Sequence, residues 1–558
     1  MNFYKKDDVL QSILKDVLDQ ETFAWADREL TEFGELCGGE FDERAAYTDR
    51  DGQPKLLKYD KYGNDQSFIW LNEGYRKTVE ETYNRGIVGY LYKDIPTLGK
   101  KGNYVYSFAQ GYLLSQTEPG FYCPVTLTMA AAYLIDNYAS QDLKVKYMPH
   151  LASTGETELF EGATFLTERQ GGSDVGANET KAVLEADGTY RLYGEKYFAS
   201  NAGACGVATV LARTEGGPEG TKGLSLFLVP WRKEGGSLNG LSVRRLKDKL
   251  GVRAVPSAEV EFNGAEAYLI GEKEQGFYYM MEALNLSRIC NAVASVGIMR
   301  RAYTEAVSYA AERDAFGQKI INYPMVQDSL VRMAVKLEAE TVSVFELARI
   351  YDEWCEGREI PSEEKDGLLR MLIALLKSET AEQAIHFAHE AIEMHGGNGY
   401  IEDFVTPRLL RDAQVLTVWE GTANILGLEV LRLIKKYNMD DLFLQLMEKE
   451  IAALSFYDKA MIECADQALV LLKNEFAELK LMNEFEKTRN IKELQKKMVT
   501  LFESVLLLKR AENGDEKREI TATIYIKDKL LPNLGEQKQS WSLEEGLKIL
   551  GIKEPVKR

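Results

Sequence analysis

At 558 residues the chain is too long for one compact core, so several packed layers or domains are expected. Its 68 Lys and Arg stand against 87 Asp and Glu, a formal charge of −19, which works against DNA or an anionic membrane as a partner because both are bound through a local excess of cations. No run reaches the roughly 20 apolar residues of a membrane span. The amino terminus pairs Lys5 and Lys6 with Asp7 and Asp8 and lacks the apolar stretch of a secretory signal. The six cysteines are scattered without a CxxC pair, so reduced thiols and a cytoplasmic location are expected. Of the four histidines, His386 and His389 lie in HFAHE, which is not the HExxH pattern of a zinc site, and no metal centre is expected.

In chain order, residues 1–162 read as helical, with a long apolar stretch around Val125 to Tyr138. The texture then changes. KAVLEADGTYRLYGEKYF sets Asp187 and Gly188 between two β-type runs, a hairpin signal, and Gly194 suggests another turn. Strands are predicted at 207–214, 223–230 and 258–264, where Val260 and Phe262 alternate with glutamates, so 163–275 forms a β domain. Helical periodicity returns after Gly276: Ile289, Val293, Val296, Met299, Tyr303 and Val307 share a face, as do Leu368, Leu372, Leu376, Ala384, Phe387, Ala391 and Met394. Residues 276–437 therefore form a helical bundle, and 438–558 a helical extension read as an added layer or a subunit contact, with a partner-docking surface as the second reading. The order of helices, sheet, helices has no βαβ alternation and no GxGxxG turn, which excludes a Rossmann domain and gives an α+β class that is mainly α.

Three segments carry chemistry. FLTERQGGSDVGANET (165–180) places two glycines before Ser173 and Asp174, a tight turn able to face an anion or a flavin edge, though equally a plain turn. ERDAFGQKIINYPMVQDSL (312–330) sets Arg313 and Phe316 at the end of one helix and Gln327 at the start of the next; Arg313 would cap carbonyls or pair with a pyrophosphate. EMHGGNGYIEDFVTPRLLRDAQVLTVWEGTANIL (393–426) stops a helix at a glycine cluster, restarts one after Pro407 and puts Glu420 in a glycine-flanked turn beside Trp419. A carboxylate so placed suits a general base, or else a helix-start residue.

Together these segments resemble the acyl-CoA dehydrogenase family over roughly residues 70–435, through the TE-x-x-GGSDV turn, the R-x-x-FG-x-x-I segment, the GGNGY turn and the LLRDA-x-x-x-x-x-WEGT box. The tail and the TE-x-QGGSDV variant are most similar to the AidB-like, tail-extended branch. The resemblance implies a helical domain, a β-barrel-like middle domain and a four-helix bundle, with FAD as cofactor. It implies Glu420 as the base that removes the α-proton of an acyl-CoA thioester while the β-hydride passes to the flavin, giving a trans-2-enoyl-CoA. Its backbone N–H would polarise the thioester carbonyl together with a ribityl hydroxyl, a donor of the kind worth ~3 kcal/mol. Leu166, Thr167, Phe198 and Ser200 match residues lining the flavin. Arg313, Phe316, Gln327, Gly396 and Gly397 match contacts to the FAD of a neighbouring subunit, Glu393 and Ser173 further cofactor contacts, Thr422 and Asn424 cofactor contacts near the base, and Ser173, Asn285, Arg288 and Gly421 substrate contacts. A shared cofactor implies a homodimer or homotetramer, and an electron-transfer flavoprotein as acceptor. Arg169 and Gln170, Phe198, Asn285 and Trp419 depart from the family's usual residues at their positions. An AidB-like protein that associates with DNA and turns over little is the alternative, disfavoured by the lack of a basic footprint.

Overall fold

The computed structural model describes residues 1–357, 362–455, 458–512, 514–534 and 541–552, and the chain divides into two units. The first joins Met1–Lys6 to Asp19–Cys290; the second joins Asp7–Leu18 to Asn291–Arg558. Among the described residues no helix is long and apolar enough to cross a membrane.

In the first unit the helices Gln20–Cys37, Glu73–Tyr83, Tyr104–Ser115 and Gln141–Leu151 begin where their sequences supply a cap: the side chains of Asp19, Asn72, Asn103 and Ser140 accept the first free backbone N–H groups. Tyr104–Ser115 is buried on every side, as its lack of charge requires. The next helix, Pro119–Tyr138, starts on a proline, whose missing N–H costs nothing there.

That helix lies on the first of seven strands that build a barrel: β1 (Gly162–Phe165), β2 (Lys181–Leu184), β3 (Tyr190–Ser200), β4 (Val207–Thr214), β5 (Leu224–Pro230), β6 (Leu241–Leu246) and β7 (Ser257–Ile270). A Cβ on Gly162 would sit 2.7 Å from the Ala131 Cβ and 2.9 Å from the Thr128 Cα, so only glycine lets strand and helix approach this closely. Pairing runs β6–β7–β3–β2–β4–β1, and β5 joins β7 to β4, which closes a ring through β7, β3, β2, β4 and β5. Closure leaves those strands without a bare edge. Phe165, Leu192, Val210, Phe227, Val243, Val260 and Phe262 fill the interior. β4 and β5 are buried along almost their whole length, whereas β3 alternates, as a strand wet on one face does.

Three expectations need correction. Residues 1–162 are not purely helical: Lys55–Tyr59 and Asp65–Trp70 form an antiparallel hairpin, and Asp94–Ile95 pairs with Lys100–Lys101. The first hairpin is held to β6, since Lys58 Nζ donates to the Val243 carbonyl at 2.8 Å and Ser242 Oγ to Asp65 at 2.6 Å. β6 itself was not predicted, because LSVRRL carries its charge on the exposed face and reads as loop. Gly194 makes no turn; it lies inside β3 at φ +143°, where a Cβ would come 2.8 Å from the Thr180 Cα, just before β2.

The second unit is helical throughout its described residues apart from a two-residue hairpin. The helix Glu363–His395 is flanked by Pro324–Glu356, Thr406–Leu416 and Ala423–Tyr437. The extension adds Met439–Ala452, Lys459–Leu481, Glu484–Ala511 and Glu516–Tyr525, and Glu484–Ala511 opens on a reciprocal cap between Asn483 and Glu486. It packs directly on Ala423–Tyr437: a Cβ at Gly427 would meet the Ile491 Cγ2 at 3.1 Å. A buried polar cluster joins it to the bundle as well. Lys336 Nζ lies 2.8 Å from Glu340, 3.1 Å from Glu379 and 2.9 Å from Glu503, and the Tyr525 hydroxyl donates to Glu503.

Candidate functional site

In the first unit the glycine turn is shaped by a buried carboxylate within it. Glu168 accepts from Lys196 Nζ at 2.7 Å, from Thr180 Oγ1 at 2.6 Å and from the backbone N–H groups of Glu179 (2.6 Å) and Thr180 (3.2 Å). Burial works to raise this carboxyl, but Lys196 and the other donors outweigh it and hold it below the ordinary range. Asn178 closes the loop by donating to the Leu166 carbonyl at 2.9 Å, and Gly171, at φ +124°, takes a conformation closed to other residues. The unusual Arg169 and Gln170 are accommodated by new partners: Arg169 reaches Glu195 at 2.8 Å and stacks over Tyr197, and Gln170 donates to Asn178 at 2.9 Å.

This frame presents the residues singled out from the sequence. Tyr197 N donates to the Thr167 carbonyl at 2.9 Å, which sets Leu166 and Thr167 alongside Phe198. Phe198 is 55% exposed although apolar, and Lys247 lies 4.8 Å from its ring centre. Ser200 pairs with Ser257 at 3.2 Å, and Ser173 is exposed on the turn. Arg288, nearly buried, donates to Asn285 at 3.2 Å one helical turn away.

Behind β1 lies a group that sequence reasoning passed over. Glu161 is fully buried and accepts from the Tyr83 hydroxyl at 3.3 Å. Burial, only partly relieved by that bond, pushes its carboxyl up to about 8.

In the second unit, Thr406–Leu416 ends and the chain turns at Trp419, Glu420 and Gly421 before the extended Thr422 leads into Ala423–Tyr437. Glu420 is therefore a turn residue, not the start of a helix. It sits at φ +59° and Gly421 at φ +103°. A left-handed glutamate costs about 1 kcal/mol, so something must impose it. Lys377, buried in the Glu363–His395 helix, donates to the Gly421 carbonyl at 2.6 Å. Sequence reasoning missed this lysine; its one signal was a lone cation inside the apolar run MLIALLKSET.

The remaining expected residues fall into two sets. Arg313, Phe316, Glu393, Gly396, Gly397, Thr422 and Asn424 are exposed, while Gln327 is buried on the Pro324–Glu356 helix. Phe316 occupies the tip of the hairpin Asp314–Ala315 with Gln318–Lys319 at φ +48°. Lys319, rather than Arg313, caps the preceding helix at the Glu312 carbonyl (2.7 Å). A Cβ at Gly396 or Gly397 would meet nothing within 4 Å. Among the described residues no group of three or more His, Cys, Asp or Glu is arranged to hold a metal.

Comparisons with known proteins agree over most of the chain. Residues 1–155 match the adaptive response protein AidB N-terminal domain, 163–265 the acyl-CoA dehydrogenase middle domain and 274–434 the acyl-CoA dehydrogenase C-terminal domain. Acyl-CoA dehydrogenase family member 11 of Caenorhabditis elegans is 34% identical over 439 residues, 77% of this chain and 70% of that protein. The putative acyl-CoA dehydrogenase AidB of Escherichia coli is 33% identical over 391 residues, 69% of each. The crystal structure of C. elegans ACDH-11 in complex with C11-CoA superposes with a TM-score of 0.87 at 30% identity, covering 95% of this chain and 91% of that one. The chain belongs to the acyl-CoA dehydrogenase family of FAD-dependent oxidoreductases.

Proposed function

We propose that the protein dehydrogenates an acyl-CoA thioester between its α and β carbons, with Glu420 as the base, and passes the electrons to an electron-transfer flavoprotein. The observation that carries this reading is the turn itself: a partly exposed glutamate in a left-handed conformation, between two helices and tied down by Lys377. Strain kept at one side chain is how a site fixes a reacting group in advance. A positioned base contributes on the order of 10²- to 10⁴-fold to a proton transfer.

FAD fits the residues present. The flat, exposed ring of Phe198 beside Leu166 and Thr167 suits a planar heterocycle, and the open space over Gly396 and Gly397 admits close backbone approach. When bound, FAD supplies the acceptor for the β-hydride. The chain's own part is to take the α-proton on the Glu420 carboxylate and to offer backbone N–H groups to the thioester oxygen as it gains charge. Asn285, Arg288 and Ser173 are assigned to the CoA portion, with Gly421 beside the thioester. The exposed Arg313, Phe316, Gly396 and Gly397 support contacts to a neighbouring subunit's cofactor, and so a homodimer or homotetramer, while Glu393, Thr422 and Asn424 are assigned to the cofactor, the last two near the base.

Anaerobic mixing with a panel of acyl-CoA thioesters is expected to bleach the flavin absorbance, and Glu420→Gln to abolish bleaching while FAD stays bound. Full reduction in that variant would remove the assignment. Salt-sensitive retardation of duplex DNA, with no bleaching by any thioester, would favour the AidB-like alternative instead.

A further inference from the structure

Ionised side chains are rarely left in an apolar interior, because desolvating an ammonium costs several kcal/mol unless strong partners compensate. Lys377 is 1% exposed, and its neighbours Ala374, Leu375, Leu376 and Ala381 are all buried apolar residues. Its ammonium donates to the carbonyl of Gly421, the residue after Glu420. Two turns earlier on the same helix, Arg370 pairs with Glu429, which lies on the helix that follows the turn. One rigid helix thus grips the Glu420 turn at its exit and the next helix farther along. The two consecutive positive φ angles, +59° and +103°, lie directly at the first of these grips.

We infer that Lys377 is a positioning residue: through the Gly421 carbonyl it locks the strained turn that presents Glu420, and it acts on the reaction only through that carboxylate. This rests on the assignment of Glu420 as the base. An ammonium is suited to the task because a charged donor makes a shorter and roughly twice stronger hydrogen bond than a neutral one. The bond here outweighs the preference of the glutamate backbone for the right-handed or extended regions.

The test uses the FAD-loaded protein as wild type, Lys377→Met, which fills the space without a donor, and Lys377→Gln, which keeps an N–H donor without the charge. In Lys377→Met the rate constant for flavin reduction at saturating acyl-CoA is expected to fall about ten- to a hundredfold with KM changed less than about threefold, the signature of a displaced base rather than lost substrate binding. Lys377→Gln is expected to recover part of that loss. Hydrogen exchange of the peptide covering 417–424 should quicken in Lys377→Met while the Glu363–His395 helix stays protected. Unchanged reduction at full FAD loading, or unchanged exchange at 417–424, would overturn the inference. If no thioester reduces the wild-type flavin, the proposed function fails, and the exchange comparison still decides whether Lys377 locks the turn. Should Lys377→Met fail to fold, faster exchange at 417–424 in Lys377→Gln supports the lock and wild-type exchange there overturns it.

Discussion

In the barrel, buried Lys196 meets a single carboxylate, and Glu168 has every remaining site filled by Thr180 and two backbone amides. In the bundle, buried Lys336 lies among three carboxylates, Glu340, Glu379 and Glu503, drawn from three helices. The first arrangement balances its charge and serves as a fixed bracket for the glycine turn. The second carries more acid than one lysine can neutralise: burial and the neighbouring carboxylates raise Glu340 and Glu503 above the ordinary range, while burial works to raise Glu379 too but Lys336 outweighs it and holds it low. The same residue types therefore make a pH-indifferent joint at neutrality in one unit and a proton-holding joint in the other.

The sharpest way to break this contrast is Lys336→Met. It leaves three buried acids without a cation and should cost about 4 kcal/mol in urea unfolding, whereas a loss below 1 kcal/mol would mean the cluster is already neutral. Glu168→Gln should cost roughly 3 kcal/mol and loosen the 168–180 turn, seen as weaker FAD retention.

The pH profiles should part in opposite directions. Glu168 has a lowered folded value, so its contribution is present above the unfolded value near 4.5 and is lost as pH falls. Glu340 and Glu503 have raised values; the folded state holds protons that the unfolded state has released, and stability declines as pH climbs from near 4.5 toward their folded values. Glu161 follows the same rule over a defined window, from 4.5 to about 8. Glu161→Gln should therefore stabilise the first unit by about 2 kcal/mol at pH 8 and by little at pH 5, as differential melting would record. The smallest effect is expected at the extension, where Gly427→Val crowds Ile491 and should cost roughly 1 kcal/mol.

How much of this was legible in the residues varies with the physics of each part. Val260 and Phe262 announced β7 because they alternate with Glu259 and Glu261, of which Glu261 is partly exposed and the buried Glu259 is held by Arg245 and Lys247. The hairpin at Lys55–Trp70 stayed hidden because it buries little and leaves Leu57, Tyr59 and Phe68 exposed, so no clean alternation of apolar and polar residues marks it. The glycine turn and the Glu420 turn stood out through glycines that their backbone angles demand. Their anchors did not. Lys196 and Lys377 look like surface residues until the barrel closes around one and three helices surround the other. Which face of the Glu363–His395 helix meets water is decided by neighbours distant in sequence, and no local pattern encodes that.

The seating of the Glu484–Ala511 helix against Gly427 has a practical corollary. Shortening the chain to its family-matched span would strip cover from the very helix that leaves the Glu420 turn, so a trimmed version is expected to lose activity before it loses its secondary structure.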